Sequence, residues 1–286
     1  MNILEDIKQQ YKFGGMNQKL IFWNIGLFLI SLVFFYQFSI GRFHYPTWLA
    51  LSSAAETSFV FPWTFITYSF LHGGVFHLIF NLIVLNFSGR LFQTFFTEKQ
   101  LLGVYILGAV FSGLVYVLAY TFLPLGNAIL VGASASVMAI LFATVTYSPL
   151  MTVRLLLVGY VKLWHIAAVI LLLDILQIGL TNTGGHISHL AGALFGFLFV
   201  TLLKQGVDLT KFISRIAGFV KGIFSKKAKP KYSPFKEVHV NRKTTSRQNF
   251  QKDKNQQQID EILDKISRSG YDSLTKDEKD FLFKQK

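Results

Sequence analysis

Apolar residues in this chain fall in long, nearly unbroken runs with short polar breaks between them. The runs cover about 20–40, 75–95, 101–122, 132–147, 161–180 and 186–203. A helix rising about 1.5 Å per residue needs roughly 20 residues to cross about 30 Å of hydrocarbon. The pattern therefore predicts an all-α, polytopic membrane protein with a bundle of six spans. The fourth run, which stops before Pro149, is short for a span, so its start is expected to be buried among other helices, because irregular backbone is not tolerated against lipid. Residues 41–74 break the pattern: Arg42, His44, Pro46, Glu56 and Pro62 interrupt short apolar pieces that contain Trp48 and Trp63. This stretch reads as a loop with short helices half sunk in the headgroup layer.

The flanks follow other periods. Leu4, Ile7 and Tyr11 have helical spacing, so residues 1–18 are expected to form an amphipathic segment on the cytoplasmic surface, ending at Gly14-Gly15. Residues 19–204 form the six-span domain. Leu209, Phe212, Ile213, Ile216, Phe219, Val220, Ile223 and Phe224 make an apolar stripe, predicting an interfacial amphipathic helix over 205–225. Residues 226–257 are basic, polar and rich in turn formers, and are expected to be a disordered linker. Ile259, Ile262, Leu263 and Ile266 start a small helical hairpin over 258–286, with a break at Gly270 and a capping box from Thr275 and Glu278.

Charge orients the runs. The formal net charge is +13, and twenty of the 28 Lys and Arg lie in residues 204–286 beside ten of the 15 Asp and Glu. Lys8, Lys12, Lys19, Arg90, Lys99, Arg154 and Lys162 fall on the same side as that basic tail, whereas the loops at 121–131 and 180–185 carry no charge. Under the positive-inside rule both termini are cytoplasmic. The expected location is a cell membrane, of bacterial inner or plasma type. The basic excess beside a membrane domain is accounted for by anionic lipid, and no nucleic-acid partner is expected. The chain has no cysteine, which excludes disulfides, thiolate nucleophiles and Cys-ligated metal. The first residues, mixing Glu5 and Asp6 with lysines, resemble neither a cleavable signal nor a mitochondrial presequence.

On this topology the second, fourth and sixth helices all start at the outer face. His77, Asn81, Ser134 and His189 then lie within the first turns below that face, which is where a nucleophile and its general base would have to meet. Polar groups in a span are costly and face the bundle interior. For His77 and Asn81, on one helix face, the alternatives are interhelical hydrogen bonding or donation to the oxygen of a tetrahedral intermediate. Gly132 is either a plain helix start or a backbone amide aimed at that oxygen. Ala135, Ala139 and Ala143 on the fourth run, with Gly192 and Gly196 on the sixth, are spaced to let two helices approach closely. Asp174 is the one acidic residue inside a run. It either holds His186 or orients His189, or is a hydrogen-bonded or protonated carboxyl within the packing.

His72, His77 and Asn81, the Gly-x-Ser at Gly132 to Ser134, and His189 followed by Gly192 and Gly196 together resemble the rhomboid family of intramembrane serine proteases over about residues 19–204. Pro62-Trp63 leading into Phe70-Leu71-His72 is similar to the family's approach to the second helix. The resemblance implies a serine endopeptidase that cuts transmembrane segments of other proteins near the extracytoplasmic face. In it Ser134 would be nucleophile and His189 general base, a dyad without an acidic member. His77, Asn81 and the Ser134 amide would form the oxyanion hole, with His72, Gly132, His186, Met138, Gly192 and Gly196 supporting. The chain departs from the family at Ala135, where glycine is usual, at Met138, where a tyrosine often stands, and at Thr64, where an arginine is common. No cofactor or metal is expected. The partners are transmembrane substrates and the lipid bilayer, with oligomeric state left open. Two rival classes are a non-catalytic rhomboid-like scaffold that binds membrane clients, and a metal-dependent protein using His72, His77, His186 and His189. The second lacks a His-Glu-x-x-His motif.

Overall fold

A computed structural model describes residues 2–156, 158–213, 215 and 246–283. The chain divides into two compact units, 1–226 and 227–286. The first opens with α1 (Ile3–Phe13), whose exposed Leu4, Ile7 and Tyr11 mark a surface helix. Gly14 separates it from α2 (Gly15–Phe34), whose first residue, Gly15, takes φ +69°. Then come α3 (Ala55–Val60), α4 (Thr64–Thr67), α5 (Val75–Gln93), α6 (Glu98–Phe122), α7 (Ser134–Tyr147), α8 (Leu163–Gln177) and α9 (Thr183–Lys204). Four of these, α2, α5, α6 and α9, are long and apolar enough to cross a membrane, and α7 and α8 are shorter apolar helices. Leu29, Ile30 and Val33 on α2, Phe76, Phe80 and Ile83 on α5, and Leu172, Leu173 and Leu176 on α8 are exposed. Such wide apolar faces on helices of this length and composition suit a lipid environment.

Helix α7 is the axis of the unit. Every residue from Ala135 to Thr144 is buried, enclosed by α5, α6 and α9, with α8 alongside. At about 1.5 Å per residue its 14 residues reach only about 21 Å, a length that suits a rod enclosed by other helices. The enclosure depends on small residues: a Cβ on Gly192 would collide with the carbonyl oxygen of Ala135, and one on Gly196 with that of Ala139. On the other flank of the bundle, a Cβ on Gly89 would run into the side chain of Asn17, which lets α2 lie against α5. A capping box at Thr97 and Gln100 starts α6.

Among the described residues the sequence pattern missed three two-stranded antiparallel ladders, each set by pairing rather than by local signal. β1 (Tyr36–Gln37) pairs with β2 (Arg42–Phe43), so the first apolar run ends as a helix at Phe34 and turns at Gly41 instead of continuing to residue 40. β3 (Leu51–Ser52) pairs with β4 (Ile129–Leu130), tying the first loop to the segment entering α7. β5 (Thr152–Leu155) and β6 (Gly159–Lys162) form a hairpin that takes the start of the fifth run, leaving α8 at 15 residues. The rest of the first loop is pinned by hydroxyls and an indole. Tyr45 donates to the His72 carbonyl at 2.9 Å, Tyr68 to the Ala109 carbonyl at 2.9 Å, and Trp63 Nε1 to the Trp48 carbonyl at 2.6 Å.

After α9, Gln100 donates to Asp208, whose other oxygen accepts from Thr210, so residues 207–213 turn back onto α6. The remainder of the interfacial helix expected to residue 225, and the linker over 226–245, lie outside the described residues. In the second unit α10 (Ser246–Ser269) begins twelve residues earlier than expected for the hairpin, so residues 246–257 are helical and not a disordered linker. Their Gln, Lys, Asp and Asn are polar, but most have fair helix propensity and no proline intervenes. Gly270 at φ +76° stops α10, and α11 (Lys276–Phe283) starts from the Thr275–Glu278 capping box. Lys265 of α10 reaches Glu278 at 2.9 Å, and Ile262 and Leu274 are buried.

Candidate active site

Ser134 is the first residue of α7, and His189 lies in the second turn of α9. The close approach allowed by Gly192 brings Ser134 Oγ to 2.7 Å from His189 Nε2, hydrogen-bonding distance for proton exchange. Both are half-buried. The ring of His189 is held at its other nitrogen: Nδ1 lies 2.8 Å from Asp174 Oδ1. His186, one turn earlier, places its own Nδ1 2.7 Å from the same oxygen. The resemblance implied a pair without an acidic member, yet a carboxylate stands directly behind His189. The spacing of the buried residues on α8, Leu163, Ala167 and Asp174, puts Asp174 on its inward face. Gly179 at φ +86° and Asn182 at φ +47° then reverse the chain so that α9 runs beside α8.

Across the site, His77 accepts from the Gly73 amide through Nδ1 at 3.3 Å. An accepting Nδ1 leaves the proton of the neutral ring on Nε2. That nitrogen points at Gly132, where an added Cβ would sit 3.0 Å from it and 3.5 Å from Ser134 Oγ. Asn81 is buried one turn on, its amide nitrogen 2.7 Å from the His77 carbonyl, with a second N–H left over. Ser134 contributes its own amide, one of the first N–H groups of α7 with no intrahelical partner. Gly132 does not: its N–H donates to the Tyr68 carbonyl at 3.0 Å. Of the two roles open to it from the sequence, the amide aimed at an oxyanion is therefore taken away. What the position does need is glycine, since φ is +135° and a Cβ would press on the His77 ring.

These groups line one cavity of about 450 Å³, in the range of small-molecule and peptide sites. Its polar end holds Ser134, His189, His186, Asp174, His77 and Asn81, and its apolar wall is built from Phe80, Val84, Met138, Ile170 and Leu173. Met138 lines the wall one turn below Ser134 and is itself buried. His72 does not reach the cavity. It is fully buried behind His77, edge-on to it at 5.3 Å between ring centres and to Phe28 at 6.4 Å. Sequence reasoning also passed over Gln177, Asn182 and Ser188, which line the same space. No periodic signal separates them from ordinary loop and helix residues.

Among the described residues the four histidines do not converge as a metal-dependent reading requires, since neither His72 nor His77 joins His186 and His189 in a group of donors close enough for one ion. Asp174, His186 and His189 do keep one donor atom each within 4.8 Å of one another, close enough for a metal ion. Those atoms are already paired among themselves.

Comparison with known proteins adds two matches. The family described as Rhomboid domain matches residues 61–206, and a family of unknown function, DUF6576, matches residues 245–284. No curated protein matches the chain.

Proposed function

Since the chain belongs to the rhomboid family and is a multi-pass membrane protein, we propose that it is an intramembrane serine endopeptidase that cleaves transmembrane segments of other proteins. The observation that carries this reading is the 2.7 Å contact between Ser134 Oγ and His189 Nε2 in the lining of an apolar-walled cavity. In the reaction His189 Nε2 takes the hydroxyl proton as Ser134 Oγ attacks a peptide carbonyl. The oxygen that becomes negative accepts from the Ser134 amide, His77 Nε2–H and Asn81 Nδ2–H. His189 then returns the proton to the leaving amine, and water repeats the sequence on the acyl-enzyme. Each of the two side-chain donors is held by a bond of its own, His77 by the Gly73 amide and Asn81 by the His77 carbonyl, so little reorganisation is needed as charge develops.

The bundle has six spans in this reading, α7 and α8 completing the four longer helices. The charge pattern supports cytoplasmic termini and a cut near the extracytoplasmic face, in a bacterial inner or plasma membrane. A purified preparation incubated in detergent with a tagged transmembrane substrate is expected to cleave it, and the Ser134→Ala protein is expected to leave it intact. Cleavage that survives in Ser134→Ala and stops on chelation would replace this reading with the metal-dependent one. A folded wild type that binds substrate without ever cutting it would replace it with a scaffold.

A further inference from the structure

We infer that Asp174 is a positioning residue for His189, so that the proposed protease works with an Asp-oriented Ser–His pair rather than a pair alone; the inference rests on the proposed function. The argument is one of tautomers. A carboxylate oxygen only accepts, so with Asp174 Oδ1 at 2.8 Å the Nδ1 of His189 must carry a proton. The neutral ring then has its lone pair on Nε2, which faces Ser134 Oγ at 2.7 Å. That is the form able to accept the serine proton. Without the carboxylate either tautomer would be open to the ring, and the other one presents an N–H to Ser134 and cannot act as base.

The setting favours this role over packing. Asp174 is 5% exposed and lies on a helix face that is otherwise Leu163 and Ala167. A polar group there is costly in a membrane, and Oδ2 has no hydrogen-bond partner among the described residues, so the carboxylate is not fully compensated by its neighbours. Both of its bonds converge on Oδ1. His186 donates to that oxygen at 2.7 Å, with its ring nearly perpendicular to that of His189 at 85° and 5.8 Å between centres. His186 therefore braces the same oxygen by a second bond, and Oδ1 stays where His189 needs it.

The test uses the full chain in detergent. Asp174→Asn keeps size and shape but offers an amide that donates as well as accepts. It is expected to lower kcat by about 10²–10⁴-fold, as loss of the orienting carboxylate does in serine protease triads, with KM within about twofold. Fluorophosphonate labelling of Ser134 should slow in parallel. Folded protein is counted by thermal melting, so a merely structural residue would lower the melting midpoint and leave kcat per folded molecule unchanged, which overturns the inference. Should Asp174→Asn not fold, the wild type decides: ¹⁵N-histidine spectra, with His189 identified by the signals lost in His189→Gln, should show a proton on Nδ1 and none on Nε2. The reverse tautomer overturns the inference. An active wild type with a fully active Asp174→Asn sinks this inference alone, whereas a wild type that cuts nothing sinks the proposed function.

Discussion

Gly132 meets two demands that no residue with a side chain meets together. Its φ of +135° is open only to glycine without strain, and the His77 ring occupies the space a Cβ would fill. Gly132→Ala is expected to destabilise the protein by about 1–3 kcal/mol, read as a lower melting midpoint, and to reduce kcat by displacing His77. Removing the donor itself, in His77→Ala, should lower kcat by about 10²–10³-fold with little change in KM, as loss of one oxyanion donor does elsewhere. At this scale much was legible in the sequence. Ser134, His189, His77 and Asn81 are polar residues in apolar runs at matching depth, and the cost of burying them points to one interior site. The fate of the Gly132 amide was not legible, because its acceptor, the Tyr68 carbonyl, sits in a distant loop whose path is set by ladder pairing and tyrosine hydroxyls. The partnership of Asp174 was open for a similar reason: it depends on the turn at Gly179 and Asn182, which fixes how α9 returns along α8.

Between elements, the contact that sets the site is that of α7 with α9. Gly192→Leu would drive a side chain into the Ala135 carbonyl, and the two helices must separate or tilt. The expected result is loss of cleavage with helix content by circular dichroism near the wild-type value, at a stability cost of about 1–3 kcal/mol for overpacking. In the C-terminal hairpin the hydrogen bond from Lys265, together with the Thr275 backbone, holds the Glu278 carboxyl down at about 2 from an ordinary 4.5. A carboxyl lowered on folding adds stability that is present above its unfolded value and lost as pH falls through the folded one. Protection of α11 amides from hydrogen exchange, corrected for intrinsic rate, should therefore hold down to about pH 4.5 and decline toward pH 2. Lys265→Ala should remove most of that pH dependence. The long apolar helices of the first unit and the capping box could be read in advance because their signals are local, whereas the helical start of α10 over 246–257 was not read. The ladders could not, since two-residue strands such as Leu51–Ser52 exist only through the partner they meet. The length of α8 went astray at both ends: β6 takes residues 161–162 from the start of the apolar run, and the turn at Gly179 ends the helix at Gln177.

For the molecule as a whole, every group of the candidate site belongs to the unit of residues 1–226. A chain truncated after residue 226 is expected to cleave a detergent-solubilised substrate at a rate within about threefold of the full chain, since a domain with its own core keeps its own chemistry. The central claim is narrower, that Ser134 is a hydroxyl made nucleophilic by His189. It is tested most directly by treating the wild type and His189→Ala with a fluorophosphonate and locating the adduct by mass spectrometry. A single phosphonate on the Ser134 peptide of the wild type, absent from His189→Ala, is the predicted result. An adduct on another residue, or equal labelling of Ser134 without His189, would contradict it.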